Sequence, residues 1–349
     1  MKCTIAAAMR MKLQGWKNAP KNPMAVPQYS TRSYVLGQCL GFRSYKVLGL
    51  RTNRDEPRTM VKSPVAPASI RLLALDIDGT LLNSQFHISD ADMAALRRAR
   101  EAEIEVVLVT GRRHDFALPI AKQLEFDLWL ISSNGAITRS LAGETFYRDL
   151  LPSETCRALC RAMLEFRGNT VLTFDRAGKG AIVLEHLNDL ENSIRRWLEK
   201  NMQYIEFVVP IEDALVTDPV QAMFCGPIGR MHEALAALRA CHLAEQITVL
   251  RTEYPIRDLS IVDILTQGCS KGHALERWAA FRGVPREQVM AIGDNYNDIE
   301  MLAFAGYPVI MGNASEDLRS RGWKVTRTND QNGVAAAVEP VLAGAGVGS

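Results

Sequence analysis

The chain has 349 residues and a formal net charge of +2 at pH 7, with 47% hydrophobic and 23% charged residues. This composition supports a buried core and excludes a disordered polymer. No stretch approaches the roughly 20 apolar residues that span a bilayer, which predicts a soluble protein. The seven cysteines are scattered without a CxxC pair, which argues against a disulfide framework and a structural zinc site and favours a reducing compartment.

The N-terminal segment, residues 1–69, is predicted to be a basic leader and linker. Residues 1–70 carry twelve Lys or Arg against Asp55 and Glu56, a net charge of +10, so the remainder carries −8. An acid-poor leader with Arg and Ser is typical of an organelle transit peptide. A dispensable extension fits equally well, and a nucleic-acid-binding arm fits less well, because the basic residues are not clustered among aromatics.

These alternatives decide the expected location and partners. A transit peptide predicts a plastid or mitochondrial protein, whereas a bacterial source without one predicts the cytoplasm. We expect no nucleic-acid and no membrane partner, and we leave the oligomeric state open.

From residue 70 onwards, short apolar runs alternate with amphipathic helices. The run RLLALDI at residues 71–77 is apolar on both faces, as a strand buried between helix layers must be. Ser89 is predicted to cap the next helix. Two further apolar runs end at Thr110-Gly111 and at Asn134-Gly135.

Residues 151–257 have a different pattern. Five strand-like runs (TVLTF, AIVLE, EFVVP, VQAMFC and ITVLR) alternate there with helices predicted at residues 188–201 and 228–241. The earlier pattern then resumes in VMAIGD and PVIMG. The chain therefore predicts an α/β fold, in which residues 70–150 and 258–342 form a doubly wound, Rossmann-like parallel sheet and residues 151–257 form an inserted α+β domain.

Polar residues follow several of the predicted parallel strands. They are Asp76, Asp78, Thr110, Asn134 and Asp294. Ligands of such sheets bind beyond the carboxyl ends of the strands, so we expect these side chains to meet at one edge.

The carboxylates among them suggest acid–base or metal chemistry. Asp76 and Asp78 could serve as nucleophile, metal ligand or general acid and base, although a polar turn with a capping Asp is the alternative. Asp294 and Asp298 are four residues apart, so they are expected on one side of a first helical turn, where helix capping is again the alternative. Crowded carboxylates repel one another, and a hard dication such as Mg²⁺ would relieve the repulsion.

Two further features suggest that an anion binds at this edge. Lys271 opens a predicted helix, where its charge opposes the helix dipole, so a role other than helix stability is favoured over a solvated surface lysine. Thr110-Gly111 offers a hydroxyl and an unhindered backbone N–H at a strand-to-helix turn.

Five segments in order resemble the haloacid dehalogenase superfamily, and most closely its Cof-type phosphatases with a large α/β cap. They are LDIDGTLL (75–82), VTGRR (109–113), SSNGA (132–136), SKG (270–272) and IGDNYNDIEML (292–302). The resemblance spans residues 70–342. It departs at Thr266, where these proteins often have Pro, and the leader has no counterpart in it.

The resemblance implies a role for each matching residue. Asp76 would be the nucleophile that forms an aspartyl-phosphate, and Asp78 the general acid and then the base. Mg²⁺ would be held by Asp76, the backbone carbonyl of Asp78 and Asp294, with Asp298 as a further ligand or a support. The residues expected to contact the phosphoryl group or the substrate are Thr110, Gly111, Arg112, Asn134, Lys271 and Asn297.

The implied activity is Mg²⁺-dependent hydrolysis of a small phosphate monoester, such as a sugar phosphate or a phosphorylated flavin-pathway metabolite. The inserted domain would be the cap that closes over the site. A phosphomutase on the same scaffold and a non-catalytic metabolite-binding protein are the alternatives.

Overall fold

The computed structural model describes residues 70–188, 190 and 192–345. The predicted leader and linker, residues 1–69, lie outside these ranges. None of the helices within them combines the length and the apolar composition needed to cross a membrane.

The described residues form two sheets and the helices that cover them. The strands are β1 (Leu72–Leu75), β2 (Glu105–Val109), β3 (Trp129–Ser132), β4 (Ile137–Ser140), β5 (Thr145–Arg148), β6 (Thr170–Thr173), β7 (Ile182–Leu184), β8 (Ile205–Phe207), β9 (Gln221–Gly226), β10 (Ile247–Tyr254), β11 (Leu259–Thr266), β12 (Val289–Gly293), β13 (Tyr307–Ile310) and β14 (Lys324–Val325). The helices are α1 (Asp90–Glu101), α2 (His114–Ala121), α3 (Ser153–Ala162), α4 (Asn192–Glu199), α5 (Ile228–Ala240), α6 (Lys271–Phe281), α7 (Ile299–Phe304), α8 (Glu316–Arg319) and α9 (Gly333–Ala345).

The first sheet has eight strands in the order β14-β13-β12-β1-β2-β3-β4-β5 and is parallel from β14 to β3. Alternate residues of each strand pack on opposite faces: Leu73 and Leu75 belong to one apolar core, and Leu72 and Ala74 to the other. Both faces are thus covered by helices, which confirms the predicted doubly wound α/β sheet with its five parallel runs.

The far edge of this sheet differs from the predicted parallel pattern. After β3 the chain forms a hairpin, β4 and β5, which pairs antiparallel onto the sheet. Both strands are four residues long, and the side chains of β5 are exposed or half-buried. The segment was not predicted as strand because it lacks the continuous apolar run that marks a strand buried on both faces.

The second sheet has six strands in the order β10-β11-β9-β6-β7-β8, antiparallel except for the pair β7 and β8. Its outer face packs against α3 and α5 through residues such as Leu172 and Phe224. We call the opposite face the inner face; it carries Val171, Met223 and Ile261, which alternate with the outer residues. Each of the five strand-like runs predicted between residues 151 and 257 overlaps a strand of this sheet.

The second sheet extends past the predicted end of the inserted domain. Strand β11 pairs with β10 and β9, so the sheet continues to Thr266, whereas the sequence placed the return to the first domain at residue 258. A tight turn at Pro255–Arg257 folds β11 back onto β10. A run of apolar residues indicates a strand but does not show which sheet that strand joins. The division of the chain into domains stays a prediction, now with the insert reaching Thr266.

Helices α1 and α6 each begin after a serine whose side chain caps the helix. The side chain of Ser89 accepts the backbone N–H of Asp92, which confirms the predicted cap of α1. Ser270 caps α6 in the same way by accepting the N–H of His273. Lys271 is therefore the first residue of α6, at the carboxyl edge of the first sheet.

Candidate active site

The carboxyl ends of β1, β2 and β12 surround a cavity of about 160 Å³. These strands are neighbours in the sheet, with β1 in the middle, so the residues that follow them converge. The inner face of the second sheet supplies the opposite wall. Six of the predicted site residues line this cavity: Asp76, Asp78, Thr110, Gly111, Arg112 and Asn297.

Lys271 joins two of the predicted carboxylates at the floor of the site. Its side chain is 1% exposed, and its Nζ donates to Asp76 Oδ1 and to Asp298 Oδ1, each at 2.6 Å. Burial alone would lower the pKa of Lys271, but the charges of Asp298 and Asp76 outweigh it and raise the pKa above its ordinary value. The lysine therefore stays charged beside the predicted nucleophile.

Three carboxylates form a compact acidic cluster. One oxygen each of Asp76, Asp294 and Asp298 lies within 4.8 Å of the others. Burial, opposed by Lys271 and reinforced by Asp298 and Asp78, raises the pKa of Asp76 to about 7. Burial and the charges of Asp76 and Asp298 also hold the pKa of Asp294 well above its usual range. A divalent cation with a preference for oxygen ligands fits this cluster, because it would offset the repulsion.

The members of this cluster differ in how many of their oxygens are already engaged. Both oxygens of Asp298 are used: Oδ1 accepts from Lys271, and Oδ2 accepts the backbone N–H groups of Asp294 and Asn295, each at 3.0 Å. Asp294 accepts one bond at Oδ1 from Thr80 Oγ1 at 2.9 Å. Asp298 thus supports the loop, and it does so from a short capping turn before α7 rather than from the first helical turn that the sequence predicted.

Gly79 allows the β1 turn to approach Asp294. Its φ is +83°, and a Cβ placed on it would lie 2.3 Å from Asp294 Oδ2. Only glycine fits there without moving the carboxylate, so the DGT sequence after β1 is explained by close approach as well as by the turn.

Thr110, Gly111 and two asparagines form a second polar part of the site. Asn297 Nδ2 donates to Asn134 Oδ1 at 2.9 Å, and a Cβ on Gly111 would lie 3.1 Å from that same oxygen. Thr110 Oγ1 accepts the N–H of Arg112 at 3.1 Å. Asn134 has φ +54°, a left-handed conformation in which Asn is one of the few residues tolerated.

Arg112 forms a two-pronged ion pair with Asp78. Its Nε lies 2.6 Å from Asp78 Oδ2, and its Nη2 lies 2.5 Å from Asp78 Oδ1. The two side chains are 29% and 27% exposed, so the pair is open to the cavity. This geometry fixes the orientation of the Asp78 carboxylate at the point where a ligand would enter.

The residues that the second sheet contributes to the cavity were not predicted from the sequence. Asp263 in β11 is 4% exposed and lines the cavity, and burial raises its pKa to about 7 even though Asn134 and Lys271 act in the opposite direction. Burial and the nearby charge of Asp78 also raise the pKa of Tyr254, which lines the same cavity. A signal for Asp263 existed, since it is the one carboxylate within the apolar run SIVDILT.

Asn295 ties the loop after β12 to the second sheet. Its Nδ2 donates to the carbonyl of Glu253 in β10 at 3.0 Å, and its Oδ1 accepts the N–H of the same residue at 3.2 Å. The side-chain amide of Asn295, the residue after Asp294, therefore bonds the edge of β10 as the peptide group of a neighbouring strand would.

The chain is similar to known proteins both in sequence and in structure. A family model described as haloacid dehalogenase-like hydrolase matches residues 73–338. The chain is 30% identical over 294 residues to "Phosphatase YwpJ" of Bacillus subtilis, covering 78% of this chain and 100% of that protein. It is also 30% identical over 270 residues to "Pyridoxal phosphate phosphatase YbhA" of Escherichia coli, covering 76% and 96%. A crystal structure of a haloacid dehalogenase-like hydrolase from Bacteroides thetaiotaomicron matches with a TM-score of 0.64 and 31% identity, covering 78% and 99%.

Proposed function

Because the chain belongs to the haloacid dehalogenase-like hydrolase family, we propose that it is a phosphatase that hydrolyses a small phosphate monoester with the help of Mg²⁺. One observation carries the proposal. Asp76 lies 2.6 Å from the buried Lys271 ammonium in a cavity that also contains Asp78 and the Thr110-Gly111 turn. A carboxylate nucleophile, a fixed cation and an anion-binding turn are the groups that phosphoryl transfer requires.

In the first half of the reaction, a carboxylate oxygen of Asp76 attacks phosphorus and the bond to the leaving alcohol oxygen breaks. Asp78 gives that oxygen a proton. The phosphoryl group rests against Thr110 and Gly111, while Lys271 neutralises charge on the Asp76 side. The product of this half is an aspartyl-phosphate and the free alcohol.

In the second half, Asp78 removes a proton from a water molecule, whose oxygen attacks phosphorus and expels the Asp76 carboxylate. Inorganic phosphate leaves, and both aspartates return to their starting states. Mg²⁺ bound by Asp76, Asp294 and the backbone carbonyl of Asp78, with Asp298 in support, would neutralise charge on the phosphoryl oxygens. The fit of the acidic cluster to a hard dication supports this cofactor.

The pair between Arg112 and Asp78 gives the resting site a defined starting arrangement. A phosphate that enters beside Gly111 offers Arg112 a second anionic partner, and Asn134 lies close by. When the guanidinium of Arg112 turns to the substrate, the Asp78 carboxylate loses its partner, takes up a proton from solvent and can then act as the acid. Arg112 and Asn134 are therefore proposed as substrate contacts.

The test is phosphate release by the purified full chain from a panel of phosphate monoesters, with Mg²⁺ and with EDTA. We expect release with Mg²⁺ and a large loss with EDTA. Conversion of a sugar phosphate to its isomer without net phosphate release would favour a phosphomutase, and binding without turnover would favour a metabolite-binding protein.

A substitution tests the role of Asp78. We expect Asp78→Asn to slow poor leaving groups such as alkyl esters much more than good ones such as 4-nitrophenyl phosphate, because only poor leaving groups need the proton. Equal slowing of both would contradict the assignment of Asp78 as the acid.

A further inference from the structure

A second cavity, of about 290 Å³, opens beside the catalytic one. Six residues line both cavities: Asp78, Gly111, Arg112, Met223, Tyr254 and Ile261. A group attached to a phosphate held at Gly111 would therefore extend into this second space, which we call the ring pocket.

The walls of the ring pocket are largely apolar and partly aromatic. Phe116 of α2 and Trp197 of α4 meet edge to face, with ring centroids 5.1 Å apart. Val171, Ile182 and Ile261 add aliphatic surface from the inner face of the second sheet. A sugar bears a hydroxyl on nearly every carbon, and each hydroxyl desolvated against such a wall needs a partner that aliphatic and aromatic side chains do not provide. A flat ring matches this surface better.

The pocket is also lined by Asp78, three arginines and Tyr254, and two buried neutral polar side chains interrupt its apolar surface. Thr173 of β6 and Gln221 of β9 lie directly opposite each other in the sheet, and each is 1% exposed. Within the part of the chain that the structure describes, neither Thr173 Oγ1 nor Gln221 Oε1 has a hydrogen-bond partner. Such atoms are uncommon in buried positions because each one costs free energy.

The orientation of Gln221 is fixed from its other end. Gln221 Nε2 donates to Asp263 Oδ1 at 3.1 Å, and Asp263 lines the catalytic cavity. The amide oxygen is thereby left as an acceptor at the wall of the ring pocket. A ligand that carries an N–H or O–H group would satisfy it.

We propose that the ring pocket binds an aromatic or heteroaromatic ring with a hydrogen-bond donor on its edge, as the alcohol part of the phosphate ester that the catalytic site hydrolyses. This specificity rests on the phosphatase function proposed above. The apolar walls select the ring, and the free acceptors of Gln221 and Thr173 select the donor.

The test compares esters of primary alcohols, which have similar leaving groups. The set contains 2-phenylethyl phosphate and glycerol 3-phosphate. It also contains the three derivatives of the phenyl ester with one hydroxyl on the ring, at the ortho, meta or para position, and the three corresponding methoxy derivatives. We expect kcat/KM for 2-phenylethyl phosphate to exceed that for glycerol 3-phosphate by about tenfold or more. We expect at least one hydroxyphenyl isomer to gain a further tenfold or so, and its methoxy counterpart to lose that gain.

Three variants locate the effect in the ring pocket. Trp197→Ala should lower the ratio of kcat/KM for the phenyl ester over the glycerol ester by about tenfold. Thr173→Val keeps the side-chain shape and should reduce the preference for the hydroxyphenyl ester. The matched control is Phe207→Ala, which removes an aromatic side chain that is 46% exposed on β8 of the same sheet but does not line the pocket; its ratios should equal those of the wild type.

The outcomes separate this proposal from the proposed function. If no ester releases phosphate, the phosphatase function is wrong. The ligand preference of the ring pocket is then tested separately, by calorimetric measurement of the binding of the matching phosphonates. Tighter binding of the hydroxyphenyl than of the glycerol phosphonate would support the pocket. Equal or reversed preference, in rates or in binding, would overturn it.

Discussion

The catalytic cavity and the ring pocket adjoin each other but are built in different ways. The catalytic cavity takes most of its charged groups from short segments that follow β1, β2 and β12, and Asp263 of β11 adds one from the second sheet. The ring pocket takes its walls from the middle of strands in the second sheet and from α2 and α4. The chemistry is thus concentrated in a few compact segments, whereas the predicted specificity is distributed over side chains that resemble ordinary core residues.

The largest effect should come from the nucleophile of the catalytic cavity. We expect Asp76→Asn to lower kcat by at least about 10³-fold, because an amide cannot form the covalent intermediate. Steady-state phosphate release measures it, and circular dichroism checks the fold. The matched control is Asp92→Asn, a buried aspartate on α1 that accepts the N–H of Ala335 and should retain activity. Activity of Asp76→Asn within tenfold of the wild type would refute the assignment.

The next effect tests the dependence of the catalytic cavity on the buried cation Lys271. We expect Lys271→Met to lower the free energy of unfolding by about 3–5 kcal/mol, since it leaves Asp76 and Asp298 facing each other without the ammonium. Urea denaturation measures this loss, and the exposed Lys122→Met serves as control. A loss below about 1 kcal/mol would show that the cluster does not need the lysine.

Asp263 lies at the border of the two cavities, and its ionisation should be visible in the pH dependence of stability. Its pKa is raised to about 7 in the folded chain, so the native carboxyl holds its proton more tightly than the unfolded one does. Its contribution therefore becomes destabilising as the pH rises from about 4 towards 7. Asp263→Asn removes this titration and keeps an acceptor for Gln221.

We accordingly expect the stability of Asp263→Asn relative to the wild type to increase by roughly 2–3 kcal/mol between pH 5 and pH 8. Urea denaturation of both proteins at several pH values measures the difference. A difference that stays constant with pH would contradict the raised pKa of Asp263.

The smallest effect concerns the unpartnered acceptors of the ring pocket. We expect Thr173→Val to raise the free energy of unfolding by up to about 1 kcal/mol, because it removes a buried hydroxyl that has no hydrogen-bond partner among the described residues. Thr170→Val on the same strand is the matched contrast: Thr170 Oγ1 donates to the carbonyl of Phe166 at 3.0 Å, so its loss should destabilise by a similar amount. If both variants destabilise equally, Thr173 has a partner and the ring pocket loses one of its acceptors.

The same contrast explains which parts of the molecule could be predicted. The parallel strands β1, β2 and β12 are continuous apolar runs, and each ends in a segment whose polar residues are close in sequence. Once these strands are neighbours in a sheet, the meeting of Asp76, Asp294 and Thr110 follows from geometry. Lys271 could be identified because a cation at a helix start works against the helix dipole.

The parts that escaped prediction depend on which strands pair with each other and in which register. Strand β11 joins the second sheet through a hairpin with β10, and the β4–β5 hairpin extends the first sheet with half-exposed strands. The opposition of Thr173 and Gln221 requires the register between β6 and β9, which the spacing of apolar residues does not encode. The ion pair between Arg112 and Asp78 likewise needs the three-dimensional placement of two turns.

The amide of Asn295 has a consequence for association between molecules. Strand β10 is at the edge of the second sheet, where unpaired backbone groups invite the strand of another chain. By engaging both backbone groups of Glu253, Asn295 occupies part of that border. The loop that carries Asp294 thereby also covers part of the edge of the second sheet, so loosening this one amide would expose a template for aggregation as well as disturb the neighbouring acidic cluster.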